Sequence, residues 1–190
     1  MQIDVGFEKV DKILHVADIH IRNFKRHKEY RQVFRKLYKD ARQLPKNSLI
    51  YVAGDIVHTK TDISPELVEL TSEFFRKLAD IRPTIVITGN HDANLNNSSR
   101  LDALSPIIDN LNHPNLHYLK DSGIYRVCDI DFIVMSVFDD PKDFPDARKA
   151  TGIKIGLHHG PVHNSVTDIG YIVNNESLKQ SVFTGCDLVM

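Results

Sequence analysis

Short, nearly continuous apolar runs alternate along the chain with longer stretches whose apolar residues recur every three or four positions. KILHVA (12–17), SLIYVA (48–53) and PTIVIT (83–88) read as buried strands. Between the first two, Tyr30, Val33, Phe34, Leu37, Tyr38, Ala41 and Leu44 form one stripe of a helix over 27–44, ended by Pro45 and Asn47. Between the second and third, Ser64-Pro65 supplies an N-cap and a first-turn proline, and Leu67, Leu70, Phe74 and Leu78 supply the stripe. A helix over 99–111 is predicted from Leu101, Leu104, Ile108 and Leu111. Short strands follow at 116–119, 124–127 and 131–138, close enough to form hairpins, then IKIGLH (153–158), a helix at 175–182 and a last strand in CDLVM. The pattern predicts an α/β fold: a layered sandwich of mixed β-sheets flanked by helices, parallel early and mixed later.

Composition changes this picture little. The 190 residues are 42% hydrophobic and 26% charged, an ordinary globular balance for a single domain. No apolar run is long enough for a membrane span, and the first ten residues do not resemble a signal peptide. Cys128 and Cys186 form no metal-binding or disulfide framework, which points to reduced thiols and a cytoplasmic setting. Charge is more informative in its distribution. The net charge is −1, yet ten lysines and arginines face two acids between Arg22 and Lys46. Such a segment is either a solvated helix face or a footprint for a polyanion. No aromatic-plus-basic platform for single strands stands out.

The chemistry sits at the strand ends. The first strand runs into Asp18-Ile19-His20, and the second into Gly54-Asp55 with His58 shortly after. The third runs into Gly89-Asn90-His91-Asp92, and IKIGL runs into His158-His159. Five of the ten histidines lie in these clusters. In open α/β sheets, ligands bind beyond the carboxyl ends of the strands, so four separate ends would converge on one crevice. Each cluster alone has an ordinary explanation: Asp caps helices and Gly-Asp makes turns. A turn does not require Gly, Asn, His and Asp together. Carboxylate, imidazole and amide oxygen suit Mn²⁺, Fe²⁺, Mg²⁺ or Zn²⁺, and a bridging carboxylate would allow two ions. Paired ions about 3.5–4 Å apart promote in-line attack on phosphorus.

These motifs, in this order from residue 12 to 160, resemble those of the calcineurin-like metallophosphoesterases. The stretches GDIVHTKTDISPE (54–66) and DIHIRNFKRHKEY (18–30) are similar to the SbcD-type nuclease subunits of double-strand-break repair complexes, phage-encoded members included. The resemblance implies a metallophosphoesterase fold holding two divalent ions, Mn²⁺ above all. Asp18 and His20 would bind one ion, Asp55 would bridge both, and Asn90 and His158 would bind the other, with His159 as the alternative to His158. His91 would protonate the leaving group, His58 would contact the scissile phosphate, and Asp92 would orient His91. Arg22, Lys25, Arg26 and Lys28 would touch DNA. The implied activity is exo- and endonucleolytic, in recombination and repair of double-stranded DNA. The implied partners are a coiled-coil ATPase subunit and a second copy of the chain, with no membrane. The setting is cytoplasmic, in the host's cytoplasm for a phage-encoded protein.

The family's later Gly-x-His ligand motif is not found before Met190, where the chain stops inside an apolar strand. Residues 1–190 are therefore expected to form an incomplete nuclease domain, without the last ligands and any capping or partner-binding domain. Two other readings compete. A small-molecule phosphoesterase of the same fold would share the site but not need the basic segment. A non-catalytic scaffold would be expected to lose motif residues, and none is lost up to His158.

Overall fold

The computed structural model describes residues 1–95, 97, 100–167 and 169–190. In chain order the elements are β1 (Lys12–Val16), α1 (His27–Arg42), β2 (Ser48–Ala53), α2 (Pro65–Ile81), β3 (Thr84–Ile87), α3 (Ser105–Leu111), β4 (Leu116–Tyr118), β5 (Gly123–Val127), β6 (Ile130–Val134), β7 (Ile153–Leu157) and β8 (Leu188–Val189). Three single 3₁₀ turns, Pro141–Asp143, Ala147–Lys149 and Gln180–Phe183, lie among them.

Two four-stranded sheets result. The first, in order β1-β2-β3-β4, is parallel throughout, because a helix crosses back between each of its first strands. The second, β5-β6-β7-β8, starts with an antiparallel β5–β6 hairpin and continues in parallel. This is the mixed α/β sandwich that the apolar pattern implies.

Strand alternation separates the cores. Ile50, Val52 and Val86 point to the helices and pack with Phe34, Tyr38, Leu67, Leu70, Phe74 and Leu78. Leu49, Tyr51, Ala53, Ile85 and Ile87 point the other way, onto Val127, Phe132, Val134, Ile155 and Leu157 of the second sheet. β2 is buried at every position, which explains the unbroken apolar run from Leu49 to Ala53. Each large side chain in these layers stabilises the fold by about 1.5–3 kcal/mol.

Local signals set the helix bounds. Ser64 Oγ accepts from the Leu67 amide at 3.2 Å to start α2, as its sequence predicts. α1 packs on α2 through Phe34 and Phe74, ring centroids 4.5 Å apart, and Arg31 pairs with Glu69 and Glu73. Val33, expected in the buried stripe, is 62% exposed and lines a groove beside the end of β1.

Two predicted helices are corrected. α3 begins at Ser105 rather than 99, because Asp102 accepts from the Leu104 and Ser105 amides and Pro106 fixes the first turn. Leu101 is left 73% exposed, and residues 96, 98 and 99 lie outside the described set. The stretch 175–182 forms no α-helix, only the 3₁₀ turn at Gln180–Phe183. There the Asn175 side chain donates to the Pro161 carbonyl in a distant loop and accepts from Ser177 Oγ, a local bond that competes with helix. No helix among the described residues is long and apolar enough to cross a membrane.

Candidate active site

The strand ends meet at the seam between the two sheets. Alternation that turns Tyr51 and Ala53 toward the second sheet brings Asp55 to this seam, as Ile155 and Leu157 bring His159 from the opposite side. The loops after β1 and β2 are tied by backbone bonds. The His20 and Ile21 amides donate to the Asp55 and Ile56 carbonyls at 2.9 and 2.8 Å, and the His58 amide donates to Ile21 at 3.0 Å.

The two glycines that open the motifs allow this approach. A Cβ on Gly89 would lie 2.2 Å from the Asp55 amide nitrogen, and one on Gly54 would lie 2.6 Å from the Gly89 nitrogen. Asp18, His20 and Asp55 all hold left-handed backbone conformations, with φ of 54°, 49° and 51°. That conformation costs about 1–2 kcal/mol per residue outside glycine. Three such residues in one cluster mark strain held where side chains must converge.

Two groups of potential ligands share the seam. Asp18, Asp55 and His159 form one; His20, His58 and His91 form the other. Within each, the donor atoms lie within 4.8 Å of one another. His20 links them, its Nε2 3.5 Å from Asp55 Oδ2 and 3.7 Å from Asp18 Oδ1. His159 Nε2 lies 3.2 Å from Asp55 Oδ2 and 3.9 Å from Asp18 Oδ1. The three imidazoles of the second group are neighbours, with centroids 4.8–5.8 Å apart.

Charge is distributed to match. Burial pushes the Asp55 carboxyl up, but hydrogen bonds from His159 and the His91 amide, with the positive charge of both rings, hold it below its ordinary value. Burial pulls His159 down, and the Asp55 carboxylate outweighs it, so that ring is raised. His58 is lowered, first by lost solvation and then by the charges of Arg22, His20, His91 and Lys25.

The donor set fits divalent cations. Two carboxylates and several imidazoles converge, and His20 Nδ1 and His58 Nδ1 are buried without a hydrogen-bond partner. Orphaned polar atoms of that kind are costly unless a ligand satisfies them. Asp18, His20, Asp55 and His159 would hold such ions, with His58 and His91 at the adjoining face.

The remaining predicted residues fall as follows. Asn90 lies half-buried between Gly89, which packs on Asp55, and His91, whose amide donates to Asp55 Oδ1 at 2.8 Å. The His91 ring pairs its Nδ1 with the His58 carbonyl at 2.8 Å. A carbonyl only accepts, so Nδ1 carries the proton and Nε2 is left for other chemistry.

Asp92 does not orient His91. It is fully buried; its Oδ1 accepts from the Ile56 and Val57 amides, both at 2.9 Å, and its Oδ2 from the Gly89 amide at 3.0 Å. Burial drives its carboxyl up to about 7, against the pull of these donors. Asp92 is thus a clasp between the two ligand-bearing loops.

His158 is not brought into either group. It belongs to the outer face of β7, between Phe144 and Phe183, with Nδ1 on the Met135 carbonyl at 2.7 Å. The alternative residue, His159, takes the place at the carboxylates, since period-two alternation puts it on the side of Ile155 and Leu157.

One positioning residue escaped the sequence. Tyr30, assigned to the helix stripe, donates its hydroxyl to the His20 carbonyl at 2.6 Å and braces the first ligand loop. A helical stripe position carries no signal for that bond.

Comparison with known proteins places the fold in a family. The chain is 47% identical over 196 residues to an uncharacterized protein of Acanthamoeba polyphaga mimivirus, an alignment covering 96% of this chain. The chain spans 14% of that viral protein's length. The family described as calcineurin-like phosphoesterase matches residues 11–189, the whole span from β1 to β8. The chain therefore belongs to the calcineurin-like phosphoesterases, a family of metal-dependent hydrolases.

Proposed function

We propose that this chain hydrolyses phosphodiester bonds in DNA, as a Mn²⁺-dependent nuclease of recombination and double-strand-break repair. One observation carries the step from phosphoesterase to DNA. Arg22, Lys25, Arg26 and Lys28 are exposed beside the ligand loops, and none forms an ion pair among the described residues. Free cations at the mouth of a phosphoester site suit a polyanionic substrate, and they read no sequence, as repair requires.

When bound, divalent cations in such a site supply Lewis acidity and a water acidic enough to attack at neutral pH. The chain's own residues do the rest. Asp18, Asp55 and His159 gather negative charge and imidazole donors at the seam. His91, its ring fixed by the Nδ1–H bond to the His58 carbonyl, donates a proton from Nε2 to the leaving 3′ oxygen when the ring carries both protons. His58 faces the phosphate from the neighbouring turn. Arg22 and Lys25 hold flanking phosphates.

The same reading includes a coiled-coil ATPase subunit and a second copy of the chain. The exposed Val33 and the groove of about 470 Å³ that it lines with Val16, Phe34 and Leu37 support a partner along α1.

The test is a double variant, Arg22→Ala with Lys25→Ala. Cleavage of duplex DNA should weaken, and the slope of log affinity against log salt should fall by about 2. Hydrolysis of an aryl phosphodiester should be unchanged. Equal loss on both substrates would place these residues in the general phosphoesterase machinery and remove the argument for DNA.

A further inference from the structure

The loop between β1 and α1 presents an aromatic ring in an unusual position. Phe24 is 71% exposed, whereas Phe34, Phe74, Phe75 and Phe132 are buried. The loop is built rather than loose. Ile21 is bridged to Val57, Asn23 Nδ2 donates to Asp62 Oδ1 at 2.7 Å, and the His27 ring meets the Arg22 carbonyl at 2.8 Å. Phe24 and Arg26 both take left-handed conformations, with φ of 55° and 58°. A bulky residue adopts such a backbone only where the surroundings impose it. The fold therefore holds an aromatic ring out into water, at the cost of the stabilisation its burial would bring.

Its neighbours say what could cover it. Phe24 stands between Arg22 on one side and Lys25 and Arg26 on the other, and Glu29 is the only acid from Arg22 to Tyr30. An apolar protein surface would have to desolvate those cations. A nucleotide would not: its base offers a π-face and its phosphates offer the matching charge. Bases inside a duplex are already stacked on each other, so the free faces belong to single strands and frayed ends.

We propose that Phe24 is a stacking platform for an unpaired nucleobase, with Arg22, Lys25 and Arg26 holding the adjoining phosphates, so that the strand is led from this loop to His58 and His91. The inference rests on the nucleic-acid reading above and deepens it: the preferred substrate is a single strand or a frayed duplex end. Phe24 is one of nine phenylalanines, and nothing in the linear sequence singles it out.

The experiment measures binding of a single-stranded oligonucleotide containing 2-aminopurine, with chelator present so that binding does not depend on the ions. The protein and its Phe24→Ala, Phe24→Leu and Phe24→Tyr variants are compared. The unaltered chain should quench the probe. Phe24→Ala and Phe24→Leu should lose quenching and bind about five- to a hundred-fold more weakly. Phe24→Tyr should restore both. Because the ring is exposed, all variants should keep the same melting temperature and the same Mn²⁺-dependent rate on an aryl phosphodiester.

Binding of the alanine variant equal to that of the unaltered chain would overturn the platform while leaving the nucleic-acid reading intact. Full affinity in Phe24→Leu would also overturn it, since an apolar contact would then suffice without stacking. Absence of oligonucleotide binding by a chain that hydrolyses the aryl ester would overturn both.

Discussion

Replacing Asp92 removes the clasp between the loops that carry Asp55 and His91. Three buried amides, those of Ile56, Val57 and Gly89, depend on its two oxygens. A buried donor left without a partner costs about 1–3 kcal/mol. Phe-like packing losses do not arise, so Asp92→Ala should destabilise the fold by at least about 3 kcal/mol, allowing for partial relaxation and entry of water. Asp92→Asn keeps one oxygen for Ile56 and Val57 but turns an NH₂ group toward the Gly89 amide. It should cost about 2 kcal/mol, the penalty of leaving the buried Gly89 amide without an acceptor. For a chain of this size, melting temperature should fall by roughly 4–8 °C for asparagine and 6 °C or more for alanine.

The protonation of Asp92 gives a second handle. Its folded-state pKa, about 7, lies above the ordinary carboxylate value, so the folded protein holds the proton more tightly than the unfolded chain. Stability should therefore fall as pH rises from about 4 through 7, and the asparagine variant, lacking that carboxyl, should not share the decline. The gap between the two should narrow with rising pH. Urea unfolding in chelator at pH 5 and pH 8 measures both effects. An alanine variant as stable as the parent, yet inactive, would refute the clasp and return Asp92 to a direct role beside His91.

Three further predictions address separate parts of the molecule. His91→Ala should lower hydrolysis by about 10²- to 10⁴-fold while sparing most ion binding, read by calorimetry with Mn²⁺; equal loss of both would contradict its role as proton donor. His159→Ala should weaken ion binding, whereas His158→Ala should not, and the reverse order would show that the seam rearranges when ions bind. Arg126 grips Asp131 through two bonds, of 2.7 and 2.6 Å, and holds its carboxyl at about 2. That depressed value means stability present above about pH 4 and lost as pH falls toward 2, so Asp131→Asn should flatten the acid limb of an unfolding profile.

Much of this arrangement was legible in the residues. β2 spans the predicted SLIYVA, and its burial on both faces accounts for the apolar run from Leu49 to Ala53. Ser64-Pro65 announced α2 through a capping bond that the structure contains. The convergence of Asp18, His20, Asp55, His58 and His91 followed from the rule that parallel strands deliver ligands at their carboxyl ends. The sequence reading preferred His158 to His159, although Ile155 and Leu157 mark the inner face of their strand and place His159, not His158, beside Asp55.

Other features depend on contacts between distant loops. Asp92 sits next to His91 in sequence, but its oxygens are claimed by amides 35 and 36 residues away, which no local pattern encodes. Tyr30 has the spacing of a core residue and the bond of a brace. The stretch 175–182 has helix-like periodicity, against which Asn175 bonds to the distant Pro161 carbonyl and Ser177 bonds locally to Asn175.

The central claim, that this seam cleaves DNA, is tested most directly by incubating the chain with end-labelled linear DNA and Mn²⁺, beside His91→Ala and beside an aryl phosphodiester. The account predicts shortened DNA products from the unaltered chain, none from His91→Ala, and abolition of cleavage by chelator. Metal-dependent hydrolysis of the small ester with DNA left intact would contradict it and make the protein a phosphoesterase for small molecules.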